Sequence, residues 1–245
     1  MRLLPPVLQY LVDACGEGIL PLLFVLARPR QLHFSGGLQA CVFNQAVPLF
    51  ACWPWHVSSK HTVWRAKFSQ HWQHLWHWLD GFIAGLEALN QQYSQVRHWH
   101  VVMAPHQRLQ PWQHPLWWVM HGLRFLLPAS RYTVHTEGLA WRGNVLEASQ
   151  KYRTREERWQ RTAGDVHCSE AFQALVQTLP STVGVVVLDD VSTTTATLTA
   201  CVQHLQQVQQ NALSMQGVCS SIIGLSLVQV PPPAPAPSPK TSIKV

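Results

Sequence analysis

The feature that most constrains the fold is residues 185–198, VVVLDDVSTTTATL, where four apolar residues are followed directly by two carboxylates and a hydroxyl-rich segment. A continuous, largely β-branched run without polar alternation is typical of a strand buried on both faces of a parallel sheet. Parallel strands need crossover connections, which are usually helices. The run therefore predicts an α/β fold with a mainly parallel central sheet flanked by helices, in which residues 185–188 form a strand.

Patterns elsewhere in the chain predict elements that fit this architecture. Apolar residues recur at helical spacing over residues 64–89, although Gly81 and Gly85 weaken that pattern. Short apolar runs predict strands at residues 99–104 and 218–230. Helices are predicted at residues 115–127, at about 195–210, and from the capping-box sequence at 154–157.

These patterns divide the chain into three regions. Residues 1–95 are rich in Trp and His and are predicted to form a divergent, partly helical N-terminal region. Residues 96–230 carry the strand, turn and helix patterns and are predicted to form the α/β domain. Residues 231–245 begin with PPPAPAPSP, which forms neither sheet ladders nor helix, so a disordered, extended tail is expected there.

Length, charge and cysteine usage limit the function classes. The chain of 245 residues suits one large domain, and its net charge of +6 is not gathered in one block. That charge permits an anionic partner, nucleic acid or a phosphorylated metabolite, without choosing between them. None of the six cysteines forms a CxxC pair, so no zinc site is expected. The apolar run at residues 18–27 is too short to cross a bilayer, which takes roughly 20 residues, so a cytoplasmic location with reduced thiols is expected.

The segment after the predicted strand has residues suited to binding a sugar phosphate. The free N–H groups at a helix start, at the positive end of its dipole, favour a phosphate, and Thr193, Thr194 and Thr197 add hydroxyl donors. Asp189 and Asp190 follow the strand at its carboxyl end, where open α/β sheets place their ligands. These carboxylates can accept hydrogen bonds from sugar hydroxyls and help to hold Mg²⁺. The alternative is an ordinary strand-to-helix loop in which Asp and Thr serve as caps.

Residues 188–197, LDDVSTTTAT, resemble the phosphoribosyl pyrophosphate signature of type I phosphoribosyltransferases, and most closely the VDDVxTTGAT core of the competence-protein ComF family. Gln150 with the following TREER at residues 154–158 looks like the Q-x-x-L-S-R-x-E-R element of that family. Residues 101–108, VVMAPHQR, look like its VVPVPLHPRR strand and loop. The resemblance covers roughly residues 99–230, and it differs from the family in having Thr195 where Gly is usual and in lacking the N-terminal zinc ribbon.

The resemblance implies a type I phosphoribosyltransferase-like fold and a role in DNA uptake during natural competence. Its chemistry would displace pyrophosphate from the ribose 1-position by a base or amine, with magnesium as the candidate cofactor. Phosphoribosyl pyrophosphate or a similar sugar phosphate would be the ligand, and single-stranded DNA and competence proteins the further partners. The residues implied are Asp189 and Asp190 as the catalytic pair at the ribose and metal, Ser192, Thr193, Thr194, Thr195, Ala196 and Thr197 at the 5-phosphate, Arg108 at the pyrophosphate, and Gln150, Arg155 and Arg158 in support.

A second function class stays open beside the enzyme. A non-catalytic module would keep the fold and the phosphate turn but bind single-stranded DNA or partner proteins. Thr195 in place of Gly favours this module, because a β-branched residue does not easily take positive φ. The intact Asp189–Asp190 pair favours the enzyme.

Two other groups of residues have a structural explanation as well as a functional one. His71, His74 and His77 recur at three-residue spacing, which does not bring all three onto one helix face, so they are interpreted as the polar edge of a Trp-lined helix rather than a metal site. The basic run at residues 151–161 is interpreted as a solvated helix face, with a phosphate or nucleic-acid contact as the alternative.

Overall fold

The computed structural model describes residues 38–40, 47–53, 57–68, 73–106, 114–142, 163–192, 195–212 and 220–230. The helices in these ranges are α1 (Val57–Phe68), α2 (Gln73–Gln92), α3 (Pro115–Leu126), α4 (Glu170–Gln177) and α5 (Ala196–Ala212). The strands are β1 (Gln39–Ala40), β2 (Leu49–Trp53), β3 (His98–Met103), β4 (Tyr132–His135), β5 (Leu139–Trp141), β6 (Val166–Cys168), β7 (Val183–Ser192) and β8 (Ser221–Gln229).

Six of these strands form one sheet in the order β1-β2-β8-β7-β3-β4. Five of the strands, β2, β8, β7, β3 and β4, run parallel to one another, and β1 is antiparallel to β2. β5 and β6 form a separate antiparallel pair. The predicted α/β class with a mainly parallel sheet flanked by helices is confirmed.

Strand β7 lies inside the sheet, between β3 and β8, and contains the apolar run that predicted it. All four residues of the run, from Val185 to Leu188, are fully buried. Val186 and Leu188 pack into a core layer with α1, α2 and α3, whereas Val185 and Val187 pack into a second layer with α4 and α5. Because helices cover both faces of β7, no position of the run needs a polar residue.

Helix α2 lies close against the sheet because two glycines face it. A Cβ atom added at Gly81 would lie 2.8 Å from Cδ1 of Leu227, and one added at Gly85 would lie 2.6 Å from Sγ of Cys52. The two glycines are four residues apart, so they lie on the same face of the helix. The residues that weaken the helical pattern in the sequence are therefore the ones that let the helix approach β2 and β8.

The other predicted elements lie close to their predicted bounds. The strand predicted at 99–104 is β3, and the helix predicted at 115–127 is α3, with Pro115 in its first turn. The predicted helix near 195–210 is α5, and the final strand is β8. The helix predicted over 64–89 falls on the end of α1 and most of α2, and residues 69–72 between these two helices lie outside the described residues. The capping box at 154–157 and the Pro-rich tail at 231–245 lie outside the described residues.

The sheet joins strands from both sides of residue 95. β2 pairs in parallel with β8, with Phe50 opposite Leu225, and α2 contributes a fully buried row to the core that includes Trp78, Phe82 and Leu86. The part of the chain predicted to form a divergent N-terminal region thus supplies two strands to the sheet and two helices to one of its faces. Within the described ranges, no helix has both the length and the apolar character needed to cross a membrane.

Candidate ligand site at the carboxyl ends of β3 and β7

The order of the strands reverses direction between β3 and β7. From β3 the chain continues to β4 on one side, and from β7 it continues to β8 on the other. In open α/β sheets such a reversal leaves a crevice at the carboxyl ends of the two strands, where ligands bind. The backbone pairing of β3 and β7 continues to the carboxyl end of β3, where the Ala104 N–H donates to the Leu188 carbonyl at 2.8 Å.

The two aspartates lie at this edge on opposite faces of β7, because successive side chains of a strand alternate. Asp190 shares a face with Val186 and Leu188, towards α1, α2 and α3, and is only 4% exposed. Asp189 lies on the other face and is partly exposed. The Asp190 N–H donates a hydrogen bond to Oδ1 of Asp189 at 2.9 Å.

Lys67, in the last turn of α1, pairs with Asp190. Its Nζ atom lies 2.6 Å from Oδ2 of Asp190, and the His114 Nε2 atom lies 3.8 Å from the same oxygen. Burial opposes ionisation of Asp190, but the charge of Lys67 and then that of His114 outweigh it and hold the pKa of this carboxyl below its ordinary value. Asp190 is therefore ionised at neutral pH.

Asp189 has the opposite electrostatic environment. Burial, and then the negative charge of Asp190, raises the pKa of Asp189 to about 7. Near neutral pH the pair therefore consists of one carboxylate and one group that exchanges a proton. The neutral form of Asp189 can donate a hydrogen bond, and the ionised form only accepts.

His114 begins α3 and holds a fixed place beside Asp190. Its Nδ1 atom accepts a hydrogen bond from the Leu116 N–H at 3.2 Å, which caps the helix. Its ring centroid lies 5.2 Å from that of His106, which follows β3. The chain after β3 is also tied down, since Nε1 of Trp141 donates to the Pro105 carbonyl at 2.9 Å. Two imidazoles, those of His106 and His114, and the Lys67 ammonium group thus lie on the Asp190 side of β7.

Thr195, which stands where the family signature has Gly, adopts the left-handed backbone conformation. Its φ is 57°, and no other non-glycine residue among those the structure describes has a positive φ. Its side chain is buried, and its carbonyl accepts the Thr199 N–H at 2.8 Å, which places it at the start of α5. A β-branched residue in this conformation carries a strain of order 1–3 kcal/mol.

The remaining predicted site residues fall into two groups. Ser192 is the last residue of β7, and Ala196 and Thr197 are partly buried in the first turn of α5. The others lie outside the described residues; they are Arg108, Gln150, Arg155, Arg158, Thr193 and Thr194. The structure thus brings Asp189, Asp190 and Thr195 together around the end of β7 and adds Lys67 and His114, which sequence reasoning missed. No local pattern in the sequence marks either residue, because each reaches the site from a different helix.

The Asp pair as it stands does not fit a divalent cation well. The Asp190 carboxylate is already paired with Lys67, and Asp189 lies on the opposite face of the strand. In the described parts of the chain, no cluster of three or more His, Cys, Asp or Glu side chains is arranged to hold a metal ion. The expectations of magnesium at the Asp pair and of no zinc stay predictions.

Comparison with known proteins adds no family name to this geometry. No model of a known protein family matches the chain, and no curated protein matches it.

Proposed function

We propose that this chain is a phosphoribosyltransferase-like protein of the ComF type that binds phosphoribosyl pyrophosphate or a related sugar phosphate at the carboxyl end of β7. The observation that carries the proposal is the pairing of β7 with α5, where a central strand carries Asp189 and Asp190 near its carboxyl end, beside the reversal in strand order, and Thr195 precedes a helix of 17 residues. The resemblance of residues 188–197 to the family signature supports the same assignment.

The site suits the two ends of a ribose phosphate. The N-terminus of α5, at the positive end of the helix dipole, favours a phosphate. Asp190, ionised by its pairing with Lys67, accepts hydrogen bonds from ribose hydroxyls. Asp189 supplies either a donor or an acceptor, according to its proton.

Transfer chemistry at such a site depends on placement. A base or amine would attack the ribose 1-carbon as the bond to pyrophosphate breaks, and the bond electrons would leave with the pyrophosphate. The protein would hold the reactants in line and stabilise the developing charge, without forming a covalent bond to the substrate. We place this activity in DNA uptake, as the family resemblance implies, with single-stranded DNA or competence proteins as the further partners.

A second candidate is a non-catalytic binding module of the same fold, with single-stranded DNA or a competence protein as its ligand. The observation that favours it is the strained φ of 57° at Thr195, in the turn that would cradle the phosphate. With Thr at this position, the N–H groups can converge on a phosphate only at the cost of backbone strain, whereas Gly would allow it without strain. Weak substrate binding and little or no turnover are therefore expected.

Calorimetric titration with ribose 5-phosphate tests the ligand class. Asp190→Asn is expected to lower the affinity at least about tenfold, because a charge-assisted acceptor for the ribose is lost. Glu87→Gln, which removes an exposed carboxylate from α2, is the control and leaves the affinity unchanged. Equal affinity in the wild type and Asp190→Asn would remove Asp190 from the site. Release of pyrophosphate from phosphoribosyl pyrophosphate, measured with common bases, separates the enzyme from the module.

A further inference from the structure

We propose that Lys67 is the resident cation of this site, so that a sugar phosphate binds there without a divalent metal ion. The proposal rests on the proposed function and deepens it. It assigns a positioning residue from α1 to a site that otherwise belongs to β7 and α5.

The contact between Lys67 and Asp190 is close and largely shielded from water. Nζ and Oδ2 lie 2.6 Å apart, and the side chains are 25% and 5% exposed. A buried carboxylate without a partner is strongly unfavourable, so this ion pair is what keeps Asp190 charged where it stands. The neighbouring residues of α1, Val63 and Ala66, are buried in the core and fix the helix that carries Lys67.

The position of Lys67 leaves little place for a metal ion. Mg²⁺ demands near-octahedral geometry with oxygen ligands and gives up its water reluctantly. The two carboxylates do not converge, because they lie on opposite faces of β7, and Oδ1 of Asp189 already accepts the Asp190 N–H at 2.9 Å. A cation at Oδ2 of Asp190 would have to displace the ammonium group that now neutralises it.

The ammonium group can also serve the ligand directly. It carries three N–H donors, and the contact with Asp190 needs only one or two of them. The Lys67 side chain keeps a quarter of its surface exposed, so its remaining donors can reach a ligand oxygen. Lys67 therefore orients Asp190 and keeps it ionised, so that it can accept hydrogen bonds from the ribose hydroxyls. Its own positive charge also attracts the anionic ligand.

The first test uses the unmodified chain with ribose 5-phosphate as the probe, titrated once with excess Mg²⁺ and once with EDTA. We expect the two affinities to agree within about twofold. Affinity that rises about tenfold or more with Mg²⁺, a coupling of the size typical between two ligands, would overturn the role of Lys67 and leave the proposed function standing. Absence of binding in both titrations would instead overturn the proposed function.

The second test separates a positioning role from a merely structural one. Lys67→Gln is expected to lower the affinity for ribose 5-phosphate at least about tenfold, with no recovery on adding Mg²⁺. Lys67→Arg, which keeps the charge, is expected to retain most of the affinity. Arg97→Gln removes the same charge from an exposed position just before the amino end of β3, whereas the site lies at the carboxyl ends of the strands. This variant is expected to leave the affinity for ribose 5-phosphate unchanged. Tighter binding by Lys67→Gln would mean that the ammonium blocks the site, and recovery of its affinity by Mg²⁺ would mean that a metal ion fills the same place; either result would overturn the proposal.

Discussion

At the scale of single residues, Thr195 has the backbone conformation that is least suited to its residue type. It is a β-branched residue with φ 57°, in a region that glycine enters freely and other residues rarely. The sequence showed that Thr stands where related turns use Gly, and the structure shows that the backbone keeps the glycine-like conformation. The strain is therefore retained rather than removed by reshaping the turn.

Thr195→Gly is expected to raise the free energy of unfolding by about 1 kcal/mol, the strain released less the backbone entropy that glycine loses on folding. The same change is expected to strengthen phosphate affinity, because the N–H groups of the turn can converge without strain. Thr199→Gly, inside α5, is the matched control and is expected to lower the free energy of unfolding by roughly 0.3–0.5 kcal/mol. Denaturant unfolding and phosphate titration of both variants decide the matter, and equal destabilisation by both would show that φ at Thr195 carries no strain.

The two aspartates differ in how pH affects them. The pKa of Asp189 is raised to about 7 in the folded chain, so between its ordinary value, about 4, and 7 the folded state binds a proton that the unfolded state has released. The stability that Asp189 contributes is thus full below pH 4 and is lost as the pH rises to 7. Asp190 has a lowered pKa, so its contribution is lost only in acid, as the pH falls below its ordinary value.

Asp189→Asn is therefore expected to gain stability relative to the wild type as the pH rises from about 4 to about 7, and to gain no more above that. Urea unfolding of both proteins across this range measures the difference. The half-buried His100 and the buried His121, whose pKa values are lowered to about 4 mainly by desolvation, act in both proteins alike, so the comparison cancels them. A stability difference that does not change with pH would mean that Asp189 titrates at its ordinary value.

At the scale of elements, α2 shows how a helix can be specified by residues that disfavour helices. Gly81 and Gly85 lower its intrinsic propensity, but they allow its backbone to lie directly on β2 and β8. The large side chains around them, including Trp78, Phe82 and Leu86, are fully buried as a result. Helix propensity alone would favour alanine at both positions, but the added methyl groups would clash with β2 and β8.

Gly85→Ala is expected to lower the free energy of unfolding by about 1–2 kcal/mol, since the new methyl group overpacks the contact with Cys52 by more than alanine gains in helix propensity. Adding Cys52→Ala should recover part of this loss, because it removes the sulfur that lies 2.6 Å from the new Cβ. Thermal or denaturant unfolding of the two single variants and the double variant measures this coupling. If the changes in the free energy of unfolding of the two single variants simply add in the double variant, the destabilisation by Gly85→Ala does not come from the contact with Cys52.

At the scale of the whole molecule, the residues before 95 take part in the same sheet and the same core as those after it. β2 pairs with β8, and α1 and α2 cover the face of the sheet that carries Val186 and Leu188. The ion pair between Lys67 and Asp190 crosses the same boundary. The candidate site thus includes two residues, Lys67 and Asp190, that are 123 positions apart in the sequence.

A fragment of residues 96–230 is expected not to unfold cooperatively, because one face of β3, β7 and β8 would keep α3 but lose α1 and α2 and be largely exposed to water. Circular dichroism during denaturation, compared with the full chain, measures this. The full chain serves as the positive control in the same buffer. A fragment with a cooperative transition like that of the full chain would show that residues 96–230 fold by themselves.

The elements that could be predicted from the sequence, among them β3, α3, β7, α5 and β8, are those with strong local signals, whereas short strands such as β4, β5 and β6 carry no such signal. The apolar run at 185–188 predicted a central parallel strand, Pro115 opened a helix, and the two aspartates were placed at a strand end. The question of strain at Thr195 was also visible, since residue type and turn position are both properties of a few adjacent residues. The assignment to a particular family and to sugar-phosphate binding stays a prediction.

What the sequence by itself determined is the buried strand at residues 185–188, the helix that follows it, the carboxylate pair near the end of β7, and a few elements elsewhere, among them β3, α3 and β8. Only the tertiary structure decided that β2 joins the sheet beside β8, that α2 lies on the sheet through its glycines, and that Lys67 neutralises Asp190. The physical reason is that periodicity and turn chemistry act between residues a few positions apart, whereas these contacts depend on how whole helices and strands pack. The charge of Asp190 is set by one such contact, so the chemistry of the site depends on the fold as much as on its own segment.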